Sequence, residues 1–146
     1  MSTALSLLKD CLITRVSNSA SAATTAINST ILDMQGYDNV LFIVALGDIT
    51  ATCVLTATAY DNSANSTSGA ATTGVSTTFT AGASDADNLL MIVDVRRPQD
   101  RYCYLNLTRT TANAVVDGII AIQYNGNKFP VTQGATVLGS SFGQGA

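Results

Sequence analysis

An unbroken apolar run at residues 40–46 constrains the fold more than any other feature of the chain. Gly47-Asp48 ends this run with a turn signal, and an alternating segment follows at residues 51–60. Short apolar or alternating runs bounded by turn residues are typical of β-strands. A similar arrangement returns near the end, at residues 101–105 and 114–124. The sequence therefore predicts strands along most of its length.

Eight segments have the composition and boundaries of strands, and no segment has the period of a convincing amphipathic helix. The predicted strands are residues 10–16, 30–34, 39–46, 51–60, 74–80, 88–95, 102–109 and 114–124. Many strands joined by polar loops indicate two packed antiparallel sheets. We predict an all-β fold, an antiparallel jelly-roll-like β-sandwich of about eight strands with extended terminal arms.

The length of 146 residues and a hydrophobic content of 47% are enough for one core, so residues 1–146 are predicted to form a single domain. We place its core at about 27–130, an N-terminal arm or strand at 1–26 and a C-terminal tail at 131–146. Residues 17–25 carry no large apolar side chain and are predicted to form a loop or tether. The Gly-rich tail, with Val137, Leu138 and Phe142, is expected to become ordered only against a partner.

Alternation within the strands predicts which side chains face the core. In the last strand the predicted core face is aligned across Gly118, and the other predicted core face belongs to residues 89–95. The residues of these two faces are Val116, Ile120, Ile122 and Tyr124, and Leu89, Met91, Val93 and Val95. The threonine-rich face of residues 51–60 is predicted to face water.

Residues 40–46 are apolar on both faces, and Leu41, Ile43 and Ala45 point away from the predicted core. Antiparallel sheets normally keep one face polar, so something must cover this second face. The sequence leaves two alternatives for what covers this face: a segment of the same chain, such as the N-terminal arm, or a neighbouring subunit. From the second we expect self-association as a homodimer or homotrimer.

Charge and composition exclude several classes of partner. Only 12% of residues are charged, 7 are basic and 10 acidic, and the pI is near 4.4, so we expect no nucleic-acid binding. No stretch of 18 apolar residues occurs, so we expect no membrane span. The three cysteines are far apart and no histidine accompanies them, so we expect no metal site.

The sequence contains no convincing catalytic constellation. The absence of histidine removes the usual general base, and Asp85 and Asp87 lie in a Ser/Ala-rich loop where solvated turn residues are expected. We therefore expect a protein that is not an enzyme, with no catalytic residues and no cofactor.

Candidate interface residues come from the exposed-looking apolar, aromatic and arginine positions. Arginine suits bidentate pairing with carboxylates at interfaces, and the turn at residues 94–101 carries three arginines and two aspartates. Local Asp–Arg pairs in a solvated turn are the alternative there. The candidate interface residues are Leu41, Ile43, Arg96, Arg97, Tyr102, Tyr104, Leu138 and Phe142.

The order of these segments resembles the capsid decoration, or cement, proteins of tailed bacteriophages, which have a jelly-roll-like sandwich. The resemblance covers roughly residues 30–125 and depends on four segments. They are residues 35–39 before a buried strand that ends at Gly47, residues 60–63 closing the next strand, residues 101–105, and a last strand with a glycine in its middle at 114–122.

The resemblance implies a structural role on the outer surface of a phage capsid, where copies bind the major capsid protein and stabilise the shell. It implies synthesis in the host cytoplasm and a final location on the virion. The terminal segments, with Leu5, Leu7 and Leu8 at one end, would supply much of the grip. The alternative from another class is an adhesive or carbohydrate-binding β-sandwich of a virion fibre or head–tail component. The lack of Trp and the aromatic content of 6% disfavour a sugar site.

Overall fold

The computed structural model describes residues 6–145, which form two antiparallel β-sheets and one helical turn. The helical turn is α1 (Leu7–Asp10). The strands are β1 (Leu12–Ser17), β2 (Ala20–Ala23), β3 (Ile27–Asn28), β4 (Leu32–Asp33), β5 (Tyr37–Ile49), β6 (Val54–Asn62), β7 (Ala71–Thr80), β8 (Leu90–Arg96), β9 (Tyr102–Thr110) and β10 (Ala114–Gly126).

The strand order is that of a jelly roll. The first sheet has the order β1-β10-β5-β8, with β2 also on β10, and the second has the order β3-β9-β6-β7, with β4 also on β9. Because β1 and β2 follow one another along the same edge of β10, and β3 and β4 along β9, ten strands occupy eight positions. The predicted antiparallel, jelly-roll-like sandwich is confirmed, with two of its eight strands each broken into two.

The interruption between β3 and β4 lies at Ser29 and Thr30. The Ser29 N–H donates to Leu105 O in the second sheet, at 2.8 Å, and the Thr30 N–H donates to Val16 O in the first, at 2.7 Å. The chain therefore changes its hydrogen-bond partner from one sheet to the other within two residues. This corner separates β3 from β4 and ties the two sheets together.

The core lies between the inner faces of the two sheets. Alternating residues of β5 and β8 supply one side, and β6 and β9 supply the other. The fully buried side chains include Val40, Phe42, Val44, Leu55, Ala57, Cys103, Leu105 and Leu107. The predicted core residues Met91, Val93 and Val95 are buried as expected. The predicted core residue Leu89 is not buried. It lies just before β8 begins and is 54% exposed.

Residues 17–25 are not simply a loop, as predicted, because they contain β2. Its residues are alanine and serine, and Ala20 and Ala23 pair with Val116 and Ala114 of β10. A strand at a sheet edge needs only backbone hydrogen bonds, so small side chains suffice here. Arg109 holds the residues just after β2, because its guanidinium donates to Thr25 O at 2.8 Å.

The predicted core face of the last strand is wrong beyond Gly118. The pairing of β10 with β5 shifts in register between Val116 and Gly118, which is the signature of a β-bulge, and Gly118 has φ +152°. The bulge reverses the alternation, so Ile119 and Ala121 are buried while Ile120 and the residues in step with it point outward. Val116, before the bulge, is buried as expected. Ile120, Ile122 and Tyr124 lie on the outer side of the first sheet.

The first part of the C-terminal tail is attached to the N-terminal segment. The Val131 N–H donates to Lys9 O at 2.7 Å, and the Gln133 side-chain amide donates to Cys11 O and accepts from the Ile13 N–H, at 2.7 and 2.9 Å. The Thr136 hydroxyl accepts from the Arg15 N–H at 3.1 Å. These bonds occupy the outer edge of β1, so residues 131–136 cover an edge strand that would otherwise be open.

Candidate interaction surface

The outer side of the first sheet carries a continuous set of aliphatic side chains. Ile43 on β5 lies between Ile120 on β10 and Ile92 on β8. The neighbouring rows place Leu41 beside Ile122 and Ala45 beside Leu90. Adjacent side chains on one face of a sheet are close enough to form one surface. We call the set Leu41, Ile43, Leu90, Ile92, Ile120 and Ile122 the apolar outer face.

The exposed fractions of these side chains show which part of the apolar outer face the rest of the chain leaves open to solvent. Ile92 is 52% exposed and Ile120 is 40% exposed, whereas Leu41 and Ile43 between them are half-buried. Isolated surface aliphatics are ordinary, but a contiguous set on one sheet marks a contact surface. The predicted Leu41-Ile43-Ala45 face therefore exists, and its flanks extend onto β8 and β10.

The N-terminal segment reaches one end of the apolar outer face. Leu7 and Phe129 lie with Leu41 and Ile122 around a hollow of about 500 Å³. Leu7 and Phe129 are themselves well exposed. The N-terminal segment of the same chain therefore borders the face at this end, and it leaves Ile92 and Ile120 open.

Polar groups border the apolar outer face at the same end. The Tyr124 hydroxyl donates to Asp94 Oδ1 at 2.6 Å, and Asn125 Nδ2 donates to Asp38 Oδ2 at 3.1 Å. Burial and, as a smaller cause, this hydrogen bond to Asp94 raise the pKa of Tyr124 to about 12. Arg96 is exposed at the end of β8. An apolar centre with a polar border is the usual arrangement of a protein–protein contact.

The outer side of the second sheet has a different chemistry. Thr56 on β6 pairs with Thr78 on β7 and with Thr108 on β9, and the hydroxyls of Thr56 and Thr78 are 3.1 Å apart. In the next row Asn106 Nδ2 donates to Asn28 Oδ1 at 2.6 Å. The threonine face of residues 51–60 is on the outside, as predicted. The two outer sides of the sandwich are therefore one aliphatic and one rich in hydroxyls and amides.

Tyr102 and Tyr104 also lie on the outer side of the second sheet, where they make contacts within the chain. The rings of Tyr104 and Tyr60 stack with centroids 5.5 Å apart and planes 13° apart, and Tyr104 is 5% exposed. The Arg101 guanidinium lies 5.2 Å from the centre of the Tyr102 ring. Tyr104 thus has little surface left to offer a partner.

The arginine-rich turn is organised by a carboxylate from another part of the chain. Arg101 makes a bidentate pair with Asp33, at 2.9 and 2.8 Å, and also donates to Gln35 Oε1 at 2.7 Å. The hydrogen bond from Arg101 lowers the pKa of Asp33 to about 2. Arg97 has φ +51°, and its backbone N–H donates to Asp38 O at 2.9 Å. Its side chain is exposed.

The eight predicted interface residues do not form one patch. Leu41, Ile43 and Arg96 belong to the first sheet, Arg97 to the turn after β8, and Tyr102 and Tyr104 to the second sheet. Leu138 and Phe142 lie in the tail and are 105% and 59% exposed.

Four members of the apolar outer face were not predicted as interface residues. They are Leu90, Ile92, Ile120 and Ile122. The signal was present for the first two, because residues 89–93 form an apolar run that breaks alternation in the same way as 40–46. For the other two the signal was the glycine inside a strand, which often marks a bulge.

The residues considered for chemistry have structural partners. Asp85 Oδ1 accepts from the Gly82 N–H at 2.6 Å, and Asp87 Oδ1 accepts from the Ile49 N–H at 2.9 Å. Cys103 is buried, and burial raises its thiol pKa to about 12.

Within residues 6–145, no three acidic, cysteine or histidine side chains are grouped as a metal site would require. In the same part of the chain no helix is long and apolar enough to cross a membrane.

Comparisons with known proteins gave distant matches among solved structures. No protein-family model matches the sequence, and no curated protein matches it. One of the matching solved structures is a chain from Bacillus endospore appendages, which form a family of disulfide-linked pili, with 17% identity and a TM-score of 0.48. The match covers 80% of this chain and 88% of the other.

Proposed function

We propose that this protein is a structural component of a phage virion that binds the outer surface of the capsid and stabilises the shell. The observation that carries the proposal is the apolar outer face, a continuous set of exposed and half-buried aliphatic side chains on one sheet. Supporting it, Tyr124 and Asp94 form a polar border at one end of this face, where the Tyr124 hydroxyl donates to Asp94. The partner we propose for the face is the major capsid protein.

The chemistry of the apolar outer face suits a contact with a large protein lattice. Its centre, at Ile43, Ile92 and Ile120, is uncharged, so covering it removes apolar area from water. Arg15 beside Ile120 and Asp94 beside Leu41 are exposed charges at its border, where they can stay in contact with water. A stable contact of standard size buries about 800 Å² on each partner. The face, extended by Leu7 and Phe129 at one end, provides a starting area for such a contact. Many copies on a symmetric shell would add avidity.

The adhesive or carbohydrate-binding alternative would use the outer side of the second sheet, where the tyrosines lie. Sugar recognition needs exposed aromatic rings beside polar groups. Tyr104 and Tyr60 instead stack on each other, and Tyr104 is almost fully buried. This observation favours the capsid proposal over the alternative.

The proposal is tested by adding the purified chain to mature shells from which the decorating protein is absent. We expect the chain to sediment with the shells and to raise the temperature at which they break open. Binding should persist at high salt, because the contact is apolar and depends little on screened charges. If the chain fails to associate with shells at every salt concentration, the decoration proposal is lost and the adhesive alternative comes first.

A further inference from the structure

We propose that copies of this protein associate head to tail, with the C-terminal tail of one copy docked in a groove between β7 and β8 of the next. This contact does not depend on the capsid proposal, since it requires only a second copy of the chain. It uses surfaces at two opposite edges of the first sheet. One edge presents an apolar groove and the other presents an apolar tail.

The groove lies on the open side of the sandwich, where β7 ends the second sheet and β8 ends the first. Its volume is about 260 Å³. Four exposed large apolar side chains line it, namely Phe79, Leu89, Leu90 and Ile92. Leu90 and Ile92 also belong to the apolar outer face, so the groove adjoins the edge of that face at β8. An apolar cavity of about 150 Å³ is enough to hold a benzene ring, so the groove has room for one aromatic side chain.

The tail begins at the opposite edge. Gln133 and Thr136 fix it beside β1, and β10 and β5 separate β1 from β8. At a strand spacing of about 4.8 Å, the two edges are roughly 14 Å apart. Residues 137–145 carry no helix or strand and no charged side chain. The tail therefore brings no charge of its own into the groove, whose one charged lining residue is Asp85.

The apolar side chains of the tail have little to hold them in their own chain. Leu138 is 105% exposed, and Phe142 is 59% exposed with its ring 5.7 Å from Lys9 Nζ. A cation–π contact at an exposed site is a weak interaction, so releasing Phe142 from Lys9 costs little. The Phe142 ring is the side chain that we assign to the groove.

The direction of the tail decides between the same chain and a second copy. Phe142 lies against Lys9, next to α1, on the side of the first sheet away from β8. A tail that leaves in this direction points away from its own groove, and we therefore assign it to the groove of a second copy. Because the two surfaces differ, the contact is heterologous, and repeating it produces rings or open chains of subunits.

The first test measures the association of the full chain by sedimentation velocity over a wide range of concentration. We expect reversible association that Phe142→Ser weakens about tenfold to a hundredfold, the effect of losing one buried aromatic ring. Leu89→Ser, in the groove, should weaken it to a similar extent. Val54→Ser is the matched control, since Val54 is a half-buried aliphatic residue on the outer side of the second sheet, outside both the tail and the groove, and it should leave association unchanged. A chain that stays monomeric throughout, or equal association of wild type and Phe142→Ser, would overturn the proposal.

The second test separates two copies from one. Thr78→Cys places a thiol at the groove and Ser141→Cys places one beside Phe142, while the native cysteines Cys11, Cys53 and Cys103 are buried. A mixture of the two single variants, carrying different mass tags, should give a disulfide-linked product with one chain of each. The double variant should give a ladder of linked chains. Closure of the double variant into a monomeric loop would show that the tail reaches its own groove, and would contradict the proposal. Neither test involves shells, so their failure leaves the capsid proposal standing.

Discussion

Gly118 sets the direction of every later side chain in β10, and its replacement by alanine should be costly. Its φ of +152° lies outside the range that side-chain-bearing residues adopt easily, which costs about 1–3 kcal/mol. A Cβ here would also lie 3.2 Å from Ser17 O and 3.2 Å from Arg15 Nη2. The arginine side chain is exposed and can move, but Ser17 O belongs to the backbone of β1.

Adding about 1 kcal/mol for that displacement, we expect Gly118→Ala to lower the free energy of unfolding by about 2–4 kcal/mol. At roughly 3 °C for each kcal/mol in a domain of this size, the melting temperature should fall by about 6–12 °C. Urea unfolding followed by circular dichroism measures the first quantity and a thermal scan measures the second.

Gly69→Ala separates backbone strain from crowding. Gly69 also has a positive φ, +78°, but a Cβ there meets nothing within 4 Å. We expect this control to cost about 1 kcal/mol, the usual penalty for a side chain in the left-handed region. If Gly118→Ala costs no more than Gly69→Ala, the bulge at Gly118 does not constrain the pairing of β10, and the orientation assigned to Ile120 and Ile122 loses its physical basis.

Two further predictions concern buried and paired charges. Arg109 is 3% exposed, and its guanidinium donates to Ser21 O, Thr25 O, Thr25 Oγ1 and Ala114 O at 2.6–3.0 Å. Arg109→Met keeps the apolar stem but leaves these acceptors without a donor, so urea unfolding should show a loss of about 2–4 kcal/mol, and a loss below about 1 kcal/mol would contradict the assigned role. Because the Asp33 pKa is lowered to about 2, its pairing with Arg101 stabilises the fold above the ordinary pKa of 3.8 and is lost as the pH falls towards 2. Both side chains are about half exposed, so Asp33→Asn should lower stability only slightly at neutral pH. The difference from wild type should shrink as the pH falls below 3.8 and vanish below about 2, and a difference that stays constant with pH would show that the ion pair contributes nothing.

The strands with large apolar side chains could be predicted because their periodicity records which face is buried. β5 and β6 appeared in the sequence as an apolar run and an alternating segment separated by Gly47. β2 and β3 did not, since they are short and β2 contains only alanine and serine. Strands of this kind exist because β10 and β9 offer free backbone edges to them, which depends on the tertiary structure and leaves no local pattern.

The interaction surface was only half predictable for a related reason. The second apolar face of β5, at Leu41 and Ile43, follows from alternation within one strand. Its extension to Ile92 and Ile120 depends on the register of β5 with two strands distant in sequence, and on the bulge that turns Ile120 outward. Tyr104 appeared available from its position, but its exposure is decided by the stack with Tyr60 across the sheet. Register between strands is therefore the information that the sequence pattern lacked.

The most direct test of the capsid proposal compares shell binding by two charge insertions on opposite sides of the sandwich. Ile120→Glu changes the apolar outer face at a position outside the β7–β8 groove, and Thr56→Glu changes the hydroxyl-rich side of the second sheet. Both side chains point outward, so both variants should fold with the same circular dichroism spectrum as wild type. We expect Ile120→Glu to weaken binding to shells by more than about tenfold, because a charge would replace an aliphatic side chain that the proposed contact buries, and Thr56→Glu to leave it unchanged. Equal binding by Ile120→Glu and wild type, or loss of binding only in Thr56→Glu, would contradict the account.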